Sequence, residues 1–357
     1  NIRKAQKEDG SIPAIIPTES WGYIGCSGPT WDSVLTYLPY YTYIYRGETN
    51  MITESADAFI RYLKYLETKK DKNGLVCFGL GDWNHVGRVA RDTKSPLIVS
   101  CSIYSMDIAY KDAFMLKAIG LKEQSEYAYE QYNAYKKAIR DNLIDFNTMT
   151  VLGDCQTSQA MGLYYGLFEP EEEQIAFEKL LNFVHEADDY MDLGVLGARV
   201  IFHVLSKFGY TDLAYKMITR LDYPSYGNWI ARGATTLWEG FWKDNTCKIL
   251  SMNHHFWGDV SAWFYTYLAG MHINPTGKNI REVIIAPCFV KGINIVEAMH
   301  ELPDGKLYVK WKRSEGKIIL HVSAPKCVKI KVNLPENVED EIVTILEEEN
   351  EDIYRNK

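Results

Sequence analysis

One carboxylate in the last third of the chain lies in an aromatic, apolar stretch of sequence. Residues 228–263 contain five of the nine tryptophans, namely Trp229, Trp238, Trp242, Trp257 and Trp263. Glu239 follows Trp238 directly, and a polar cluster of Asn253, His254 and His255 comes after it. Aromatic faces beside a lone acid suit a sugar, because pyranose C–H faces stack on indole and the hydroxyls need a few fixed polar groups. The stretch therefore predicts a carbohydrate site in which Glu239 does acid–base chemistry.

A second interpretation of this stretch stays open, in which the tryptophans belong to the hydrophobic core. Aromatic side chains contribute large buried areas, and tryptophan-rich segments are more often core than binding site. Composition alone favours this core interpretation over the functional one.

Two motifs in this stretch carry a resemblance in their order and spacing. GATTLWEG at 233–240 and SMNHHFWGDVSAWFYTYLAG at 251–270 resemble the signature of bacterial α-L-rhamnosidases, glycoside hydrolase family 78. The resemblance implies that Glu239 is the general base, with Trp238 beside it against the substrate, and that His254 lines the sugar site. Gly240 is a departure, because the family has Arg-Trp after the glutamate and this chain has Gly-Phe-Trp.

Two Trp-Asp pairings are further candidates for substrate binding. Asp82 and Trp83 end a glycine-rich loop; the acid could simply cap a turn while the ring packs. The family has G-D-W at this place with its tryptophan facing the rhamnose, so we favour sugar contact for both residues.

Trp31 and Asp32 precede the first clear helix, where an acid favours the helix dipole. The family has a similar pair with its tryptophan in the pocket, and both interpretations remain open here.

The neighbouring histidines, His254 and His255, raise the question of a metal site. Adjacent side chains point to different sides of an extended chain, and no third ligand stands at ligand spacing. We therefore predict no metal, and expect one histidine to bond the substrate while the other packs. The sequence also has no P-loop, dinucleotide fingerprint or G-x-S-x-G motif, so no cofactor is predicted.

Bulk composition excludes some classes of partner. The 357 residues carry a net charge of −8, which argues against nucleic acid or an anionic membrane. No apolar run approaches the ~20 residues of a membrane helix. The seven cysteines are widely spaced without a C-x-x-C motif, so neither a disulfide framework nor a zinc site is indicated.

The elements that must position these residues are mostly paired helices. Apolar residues repeat at helical spacing between residues 28 and 270. Nine helices are predicted, at about 31–47, 51–70, 98–119, 122–142, 156–168, 172–187, 195–208, 211–221 and 258–270. Short turns make consecutive helices antiparallel neighbours, which predicts a mainly α protein with an (α/α)6 toroid. Such a toroid needs twelve helices, so we expect about three to precede residue 1.

The pattern of apolar residues changes after the last predicted helix. Residues 281–335 alternate at period two, with turns at Pro303–Gly305 and Ser314–Gly316, which predicts a small antiparallel β-sandwich. The family also ends in such a domain. We therefore divide the chain into a barrel domain at 1–275 and a sandwich domain at 276–357. The acidic tail from Glu336 is interpreted as a solvated end.

The resemblance covers residues 9–335 and implies hydrolysis of terminal α-L-rhamnosides with inversion. Inversion needs two carboxylates, ~6.5–9.5 Å apart, of which Glu239 would be the base. The family's acid lies in a motif before a D-G-x-I-P loop, which DGSIPAIIP at 9–17 resembles. No such acid motif precedes Asp9, so we expect a C-terminal portion of a rhamnosidase that lacks its general acid and is inactive alone. Its partner would be a rhamnose-containing glycoside or polysaccharide.

Two other functions stay open at this point. One is a different (α/α)6 glycosidase that recruits its acid from a residue such as Asp82; a panel of aryl glycosides separates it from the rhamnosidase. The other is a non-catalytic carbohydrate-binding relative, which the departure at Gly240 makes conceivable.

The first residue is Asn1 and no signal peptide is visible, which leaves both the bacterial cytoplasm and the periplasm open. An open toroid would expose an apolar flank that favours a homo-oligomer.

Overall fold

The computed structural model describes residues 1–17, 27–87, 93–243, 251–336 and 338–348. These form two compact units. The first unit consists of Asn1–Tyr40 and Thr49–Asp259, and the second consists of Tyr41–Glu48 and the chain from Val260 onward. The division predicted after residue 275 therefore lies inside the second unit, and the helix that precedes it belongs with the strands.

Helical hairpins make up the first unit, as the apolar periodicity predicts. The helices are α1 (Ile2–Ala5), α2 (Pro29–Asp32), α3 (Val34–Arg46), α4 (Asn50–Glu67), α5 (Leu97–Ala118), α6 (Lys122–Leu143), α7 (Gln156–Tyr164), α8 (Pro170–Glu186), α9 (Val195–Lys207), α10 (Thr211–Thr219) and α11 (Tyr226–Ala231). Every helix predicted between residues 31 and 221 is present. Pro170 begins α8, where Glu169 and Glu172 form a capping box.

Burial separates these helices into an inner and an outer set. Helices α5, α7 and α9 are buried on almost all sides, whereas α6 buries only one stripe that includes Ala128, Tyr135 and Leu143. The inner helices also pack against one another, α5 with α7 and α7 with α9. This alternation of inner and outer helices is the arrangement of an (α/α) toroid. No helix in the described ranges is long and apolar enough to cross a bilayer.

Two β-sheets form most of the second unit. It includes the end of α3, from Tyr41 on, and its second stretch of chain begins with α12 (Val260–Trp263) and a π-helical turn at Phe264–Leu268. A short hairpin of the first unit supplies β1 (Ile144–Asp145) and β2 (Thr150–Val151). The sheets of the second unit consist of β3 (Met271–Ile273), β4 (Glu282–Ile285), β5 (Ile295–Leu302), β6 (Gly305–Ser314), β7 (Lys317–Ala324), β8 (Lys329–Val332) and β9 (Glu341–Glu348). One has the order β3-β4-β8 and the other β5-β6-β7-β9.

The predicted sandwich is confirmed, but its sheets are mixed in direction. Alternate residues of both sheets share one core, in which Leu307, Trp311 and Leu320 are fully buried. Most pairings are antiparallel, whereas β4 pairs with β8 and β7 with β9 in parallel. Parallel neighbours need a longer connection than a tight hairpin turn, and in both pairs the chain reaches the second strand after such a connection.

The acidic tail that was interpreted as a solvated end is mostly exposed, but its first part forms a strand. Residues Glu341–Glu348 form β9, which pairs with β7 from Lys317 to Ala324. Ile342 packs against the shared core. Residues 342–345 are the β-branched run Ile-Val-Thr-Ile, which favours a strand, and the glutamates that follow concealed it. The acidic residues from Glu349 on lie outside the described residues.

Candidate active site

Glu239 lies in a segment whose backbone pairs with the segment that carries His254. The Glu239 N–H donates to the Ser251 carbonyl at 2.8 Å, and the His254 N–H donates to the Leu237 carbonyl at 2.8 Å. The Ser251 N–H also donates to the Glu239 carboxylate, with 2.7 Å between N and Oε2. The glutamate is half-buried, so this fixed carboxylate still reaches solvent. A carboxylate held in this way can take a proton from a water molecule.

The His254 ring is set up to donate a hydrogen bond from Nε2. Burial lowers its pKa, and the nearby Glu239 charge opposes that shift, so the ring is neutral at neutral pH. Its Nδ1 accepts from the Phe256 N–H at 3.3 Å, which leaves the proton of the neutral ring on Nε2. Such a donor beside a carboxylate suits a sugar hydroxyl.

The two neighbouring histidines do not point to opposite sides, which corrects the expectation from sequence. Their rings are stacked, with centroids 5.3 Å apart and an interplanar angle of 7°. The reason is that the turn at 254–258 is not an extended strand. His255 is exposed and lines the cleft described next.

A cleft of about 360 Å³ lies beside this histidine pair. Its aromatic wall contains Trp31 and Phe256, whose rings meet edge to face with centroids 6.2 Å apart. Phe256 also contacts the His254 ring, with 3.7 Å between centroids. Trp31 is half-buried and so has surface to offer a ligand. The cleft is small and aromatic with polar groups at its rim, which suits a sugar ring.

A charged group in the lining of the cleft was missed by sequence analysis. Asp259 Oδ2 lies 3.4 Å from His203 Nε2, and its Oδ1 lies 4.0 Å from Arg199 Nε. The Arg199 guanidinium lies over the Tyr37 ring, 4.9 Å from its centroid. Both Arg199 and Asp259 line the cleft. The available signal was the spacing of Arg199 and His203, which are four residues apart on the otherwise apolar α9.

Asp82 is part of the structural framework, contrary to the predicted contact with sugar. Its side chain is fully buried. It accepts the Thr157 hydroxyl at 2.6 Å and the N–H groups of Gly194, Leu196 and Gly197 at 2.9, 2.9 and 3.2 Å. Burial raises the pKa of this carboxyl, and the four donors oppose the shift. Both carboxylate oxygens therefore accept hydrogen bonds from N–H groups at the start of α9. A carboxyl that is buried and bonded in this way is unsuited to be the general acid of a different (α/α)6 glycosidase.

Asp32 is likewise turned into the protein, whereas its neighbour Trp31 lines the cleft. The Asp32 side chain is 3% exposed and accepts the Tyr62 hydroxyl at 2.9 Å. Burial raises its pKa from 3.8 to about 7, and the Tyr62 hydrogen bond opposes that shift. The predicted contact of Asp32 with substrate is therefore replaced by a buried pairing with Tyr62.

The two tryptophans predicted beside the acids have different surroundings. Trp238 is buried and stacks on Trp242, with centroids 5.1 Å apart and an interplanar angle of 10°. One face is thus covered by an aromatic neighbour, as the core interpretation expects. Trp83 is half-buried, and its carbonyl accepts the Val195 N–H at the start of α9 at 3.0 Å. Trp83 therefore remains a candidate for stacking, while Trp238 supports the segment of Glu239.

Asn84 is a second residue that sequence analysis missed. It is buried, and its side-chain amide donates to the backbone carbonyl of Glu239. The indole N–H of Trp257 donates to the same carbonyl at 2.9 Å. Because 155 residues separate Asn84 from Glu239, local sequence carries no signal of this contact.

Models of two protein domains match the chain. The bacterial α-L-rhamnosidase six-hairpin glycosidase domain matches residues 1–268. The bacterial α-L-rhamnosidase C-terminal domain matches residues 273–348. The first match covers well over half of the chain and contains Trp31, Trp83, Glu239 and His254.

Similar proteins agree with this assignment and are much longer. An α-L-rhamnosidase of Alteromonas sp. (strain LOR) is 26% identical over 342 residues, which cover 91% of this chain and 36% of the relative. The α-L-rhamnosidase structure from Dictyoglumus thermophilum superposes with a TM-score of 0.87 at 28% identity, covering 95% of this chain and 38% of that one. The Streptomyces avermitilis α-L-rhamnosidase, solved in complex with L-rhamnose, gives a TM-score of 0.84 at 25% identity, covering 94% and 32%. The chain thus spans about a third of the length of these relatives.

Proposed function

This chain belongs to the bacterial α-L-rhamnosidase family, and we propose that it supplies the general base and part of the sugar cleft for hydrolysis of terminal α-L-rhamnosides. The observation that carries the proposal is the fixed, half-exposed carboxylate of Glu239. It lies near the neutral His254 ring, and that ring contacts Phe256 in the wall of the cleft that Trp31 also lines.

The proposed reaction inverts the anomeric carbon. Glu239 takes a proton from a water molecule, whose oxygen attacks the anomeric carbon as the bond to the leaving group breaks. His254 donates from Nε2 to a sugar hydroxyl. Trp31 and Trp83 contact the C–H faces of the ring, and the buried carboxyls of Asp32 and Asp82 support the elements that carry them.

The general acid that protonates the leaving oxygen comes, in this proposal, from outside the chain. Among the described carboxyls, Asp32 and Asp82 are buried with partners of their own, and Asp259 is beside Arg199 and His203. Both carboxylate oxygens of Asp259 therefore already have partners within the chain. We therefore propose that the chain alone binds the sugar without turning it over.

The test compares three samples on p-nitrophenyl α-L-rhamnoside and on a panel of other aryl glycosides. The samples are the full-length gene product, its Glu239→Gln variant and this chain alone. We expect the gene product to cleave the rhamnoside in preference to the others, with kcat lowered ~10²–10⁴-fold in the variant because the general base is lost. The chain alone should show no turnover above the variant.

Glu178→Gln is the matched control, because Glu178 is an exposed glutamate on α8, remote in sequence from the site, and this change should leave kcat unaltered. Cleavage of another glycoside in place of the rhamnoside would refute the substrate. Ordinary turnover by the chain alone would refute the external acid. L-Rhamnose binding without any hydrolysis by the full-length gene product would mean a carbohydrate-binding protein.

A further inference from the structure

Asn84 has a backbone conformation that few residues adopt. Its φ is +58°, in the left-handed region where asparagine is tolerated better than other residues with a Cβ. The side chain is only 3% exposed. A buried residue in this conformation, immediately after Trp83, has a direction fixed by its surroundings. That direction brings its amide to the Glu239 carbonyl.

The residue after Glu239 leaves the space that this amide fills. A Cβ on Gly240 would lie 2.7 Å from Asn84 Nδ2 and 3.2 Å from its Cγ. Such distances are well below an ordinary van der Waals contact, so any side chain at 240 would displace the amide. Gly240 is also the position at which this chain departs from the Arg of the family motif, and the Asn84 amide lies where a side chain would begin.

Together these contacts fix the peptide that carries the carboxylate. The Glu239 carbonyl accepts Asn84 on one side and the Trp257 indole on the other. The Glu239 N–H and Oε2 are both bonded to the backbone of Ser251. Two donors on one carbonyl limit rotation of the peptide plane, and therefore limit the direction in which the glutamate side chain leaves the backbone.

We propose that Asn84 is a positioning residue for Glu239, and that Gly240 is required because it gives the Asn84 amide access to the Glu239 carbonyl. The inference rests on the proposed role of Glu239 as the general base. Asn84 does not touch the substrate in this account. It acts by holding the base at the distance and angle from the attacking water that the reaction needs.

The experiment measures kcat, KM and the unfolding midpoint of the full-length gene product and four variants, Asn84→Ala, Asn84→Asp, Gly240→Ala and the double variant Asn84→Ala/Gly240→Ala. Each single change should lower kcat about 10- to 100-fold, because small misplacements of a catalytic group have effects of this size. KM should change less than threefold, since the sugar cleft is untouched. The double variant should be no slower than the slower single variant, because both changes break the same contact.

Asn274→Asp is the matched control. Asn274 is also a buried asparagine at positive φ, +48°, and its amide also donates to a backbone carbonyl, that of Ile44 at 3.3 Å. It lies in the second unit, whereas Glu239 lies in the first. Asn84→Asp and Asn274→Asp should lower the unfolding midpoint similarly, while only Asn84→Asp lowers kcat.

The outcomes separate this inference from the proposed function. One outcome is that the gene product cleaves rhamnosides, that Glu239→Gln is inactive and that the Asn84 variants keep full kcat. This result would refute the positioning role of Asn84 and would leave the role of Glu239 as the base unaffected. Multiplicative losses in the double variant would refute the linkage between Asn84 and Gly240. If the gene product itself does not cleave rhamnosides, the proposed function fails first.

Discussion

At the scale of single residues, burial distinguishes three acids that look alike in the sequence. Asp32, Asp82 and Glu239 each adjoin a tryptophan, and each was predicted to face a sugar. Asp32 and Asp82 are nearly or fully inaccessible and bond to groups of the protein, whereas Glu239 is half-exposed. The sequence motifs single out all three positions alike, because the direction of a side chain depends on long-range packing that local sequence does not contain.

Asp32 should make the stability of the protein depend on pH. Its pKa is raised from 3.8 to about 7, so between these values the folded state keeps a proton that the unfolded state has released. Stability from this group is therefore fully present below about pH 4 and is lost as pH rises towards 7. Asp32→Asn keeps an oxygen that can accept the Tyr62 hydroxyl but has no titrating group.

The measurement is the free energy of unfolding in denaturant for wild type and Asp32→Asn, between pH 4 and pH 8. The two proteins should be of similar stability near pH 4. The variant should be the more stable one at pH 8, by on the order of 2–4 kcal/mol. A difference that stays constant over this pH range would contradict the buried, protonated carboxyl.

At the scale of elements, periodicity predicted the helices well and the interruptions poorly. The apolar repeat located α4 through α10, because a helix that is buried on one face or on all sides has a matching pattern of apolar residues in its sequence. It missed α11, which is too short to show a period, and β9, whose glutamates suggested a tail. It also missed how the loop of Asp82 and Asn84 joins distant elements, since those contacts involve single side chains.

Gly197, in the first turn of α9, provides a test of how closely the loop that carries Asp82 packs against α9. In a free helix, alanine is more favourable than glycine by ~1 kcal/mol. Here a Cβ would lie 2.3 Å from Thr157 Oγ1 and 2.8 Å from Leu193 Cβ, and Thr157 donates to Asp82. Gly197→Ala should therefore destabilise the protein by ~1–3 kcal/mol, measured from chemical unfolding. An increase in stability would contradict the close packing of Asp82, Thr157 and α9.

At the scale of the whole molecule, the paired helices predicted the toroid and the alternating residues at 281–335 predicted the sandwich, and the family resemblance agreed with the sandwich. The described site residues, from Trp31 to Asp259, all belong to the first unit. Of the charged group of Arg199, His203 and Asp259, only the spacing of Arg199 and His203 on α9 is visible in the sequence, because the fold adds Asp259 from a distant turn. The central task proposed for this chain is the activation of water by Glu239.

Rescue by azide tests that task most directly. In the full-length gene product, Glu239→Ala removes the base and leaves room for a small anion. Azide needs no deprotonation to attack the anomeric carbon, so it should restore part of the kcat lost on p-nitrophenyl α-L-rhamnoside. The first product, identified by NMR, should be the β-configured rhamnosyl azide, as inversion requires. An unrescued variant, or a product that retains the α configuration, would contradict the role of Glu239 as the base of an inverting reaction.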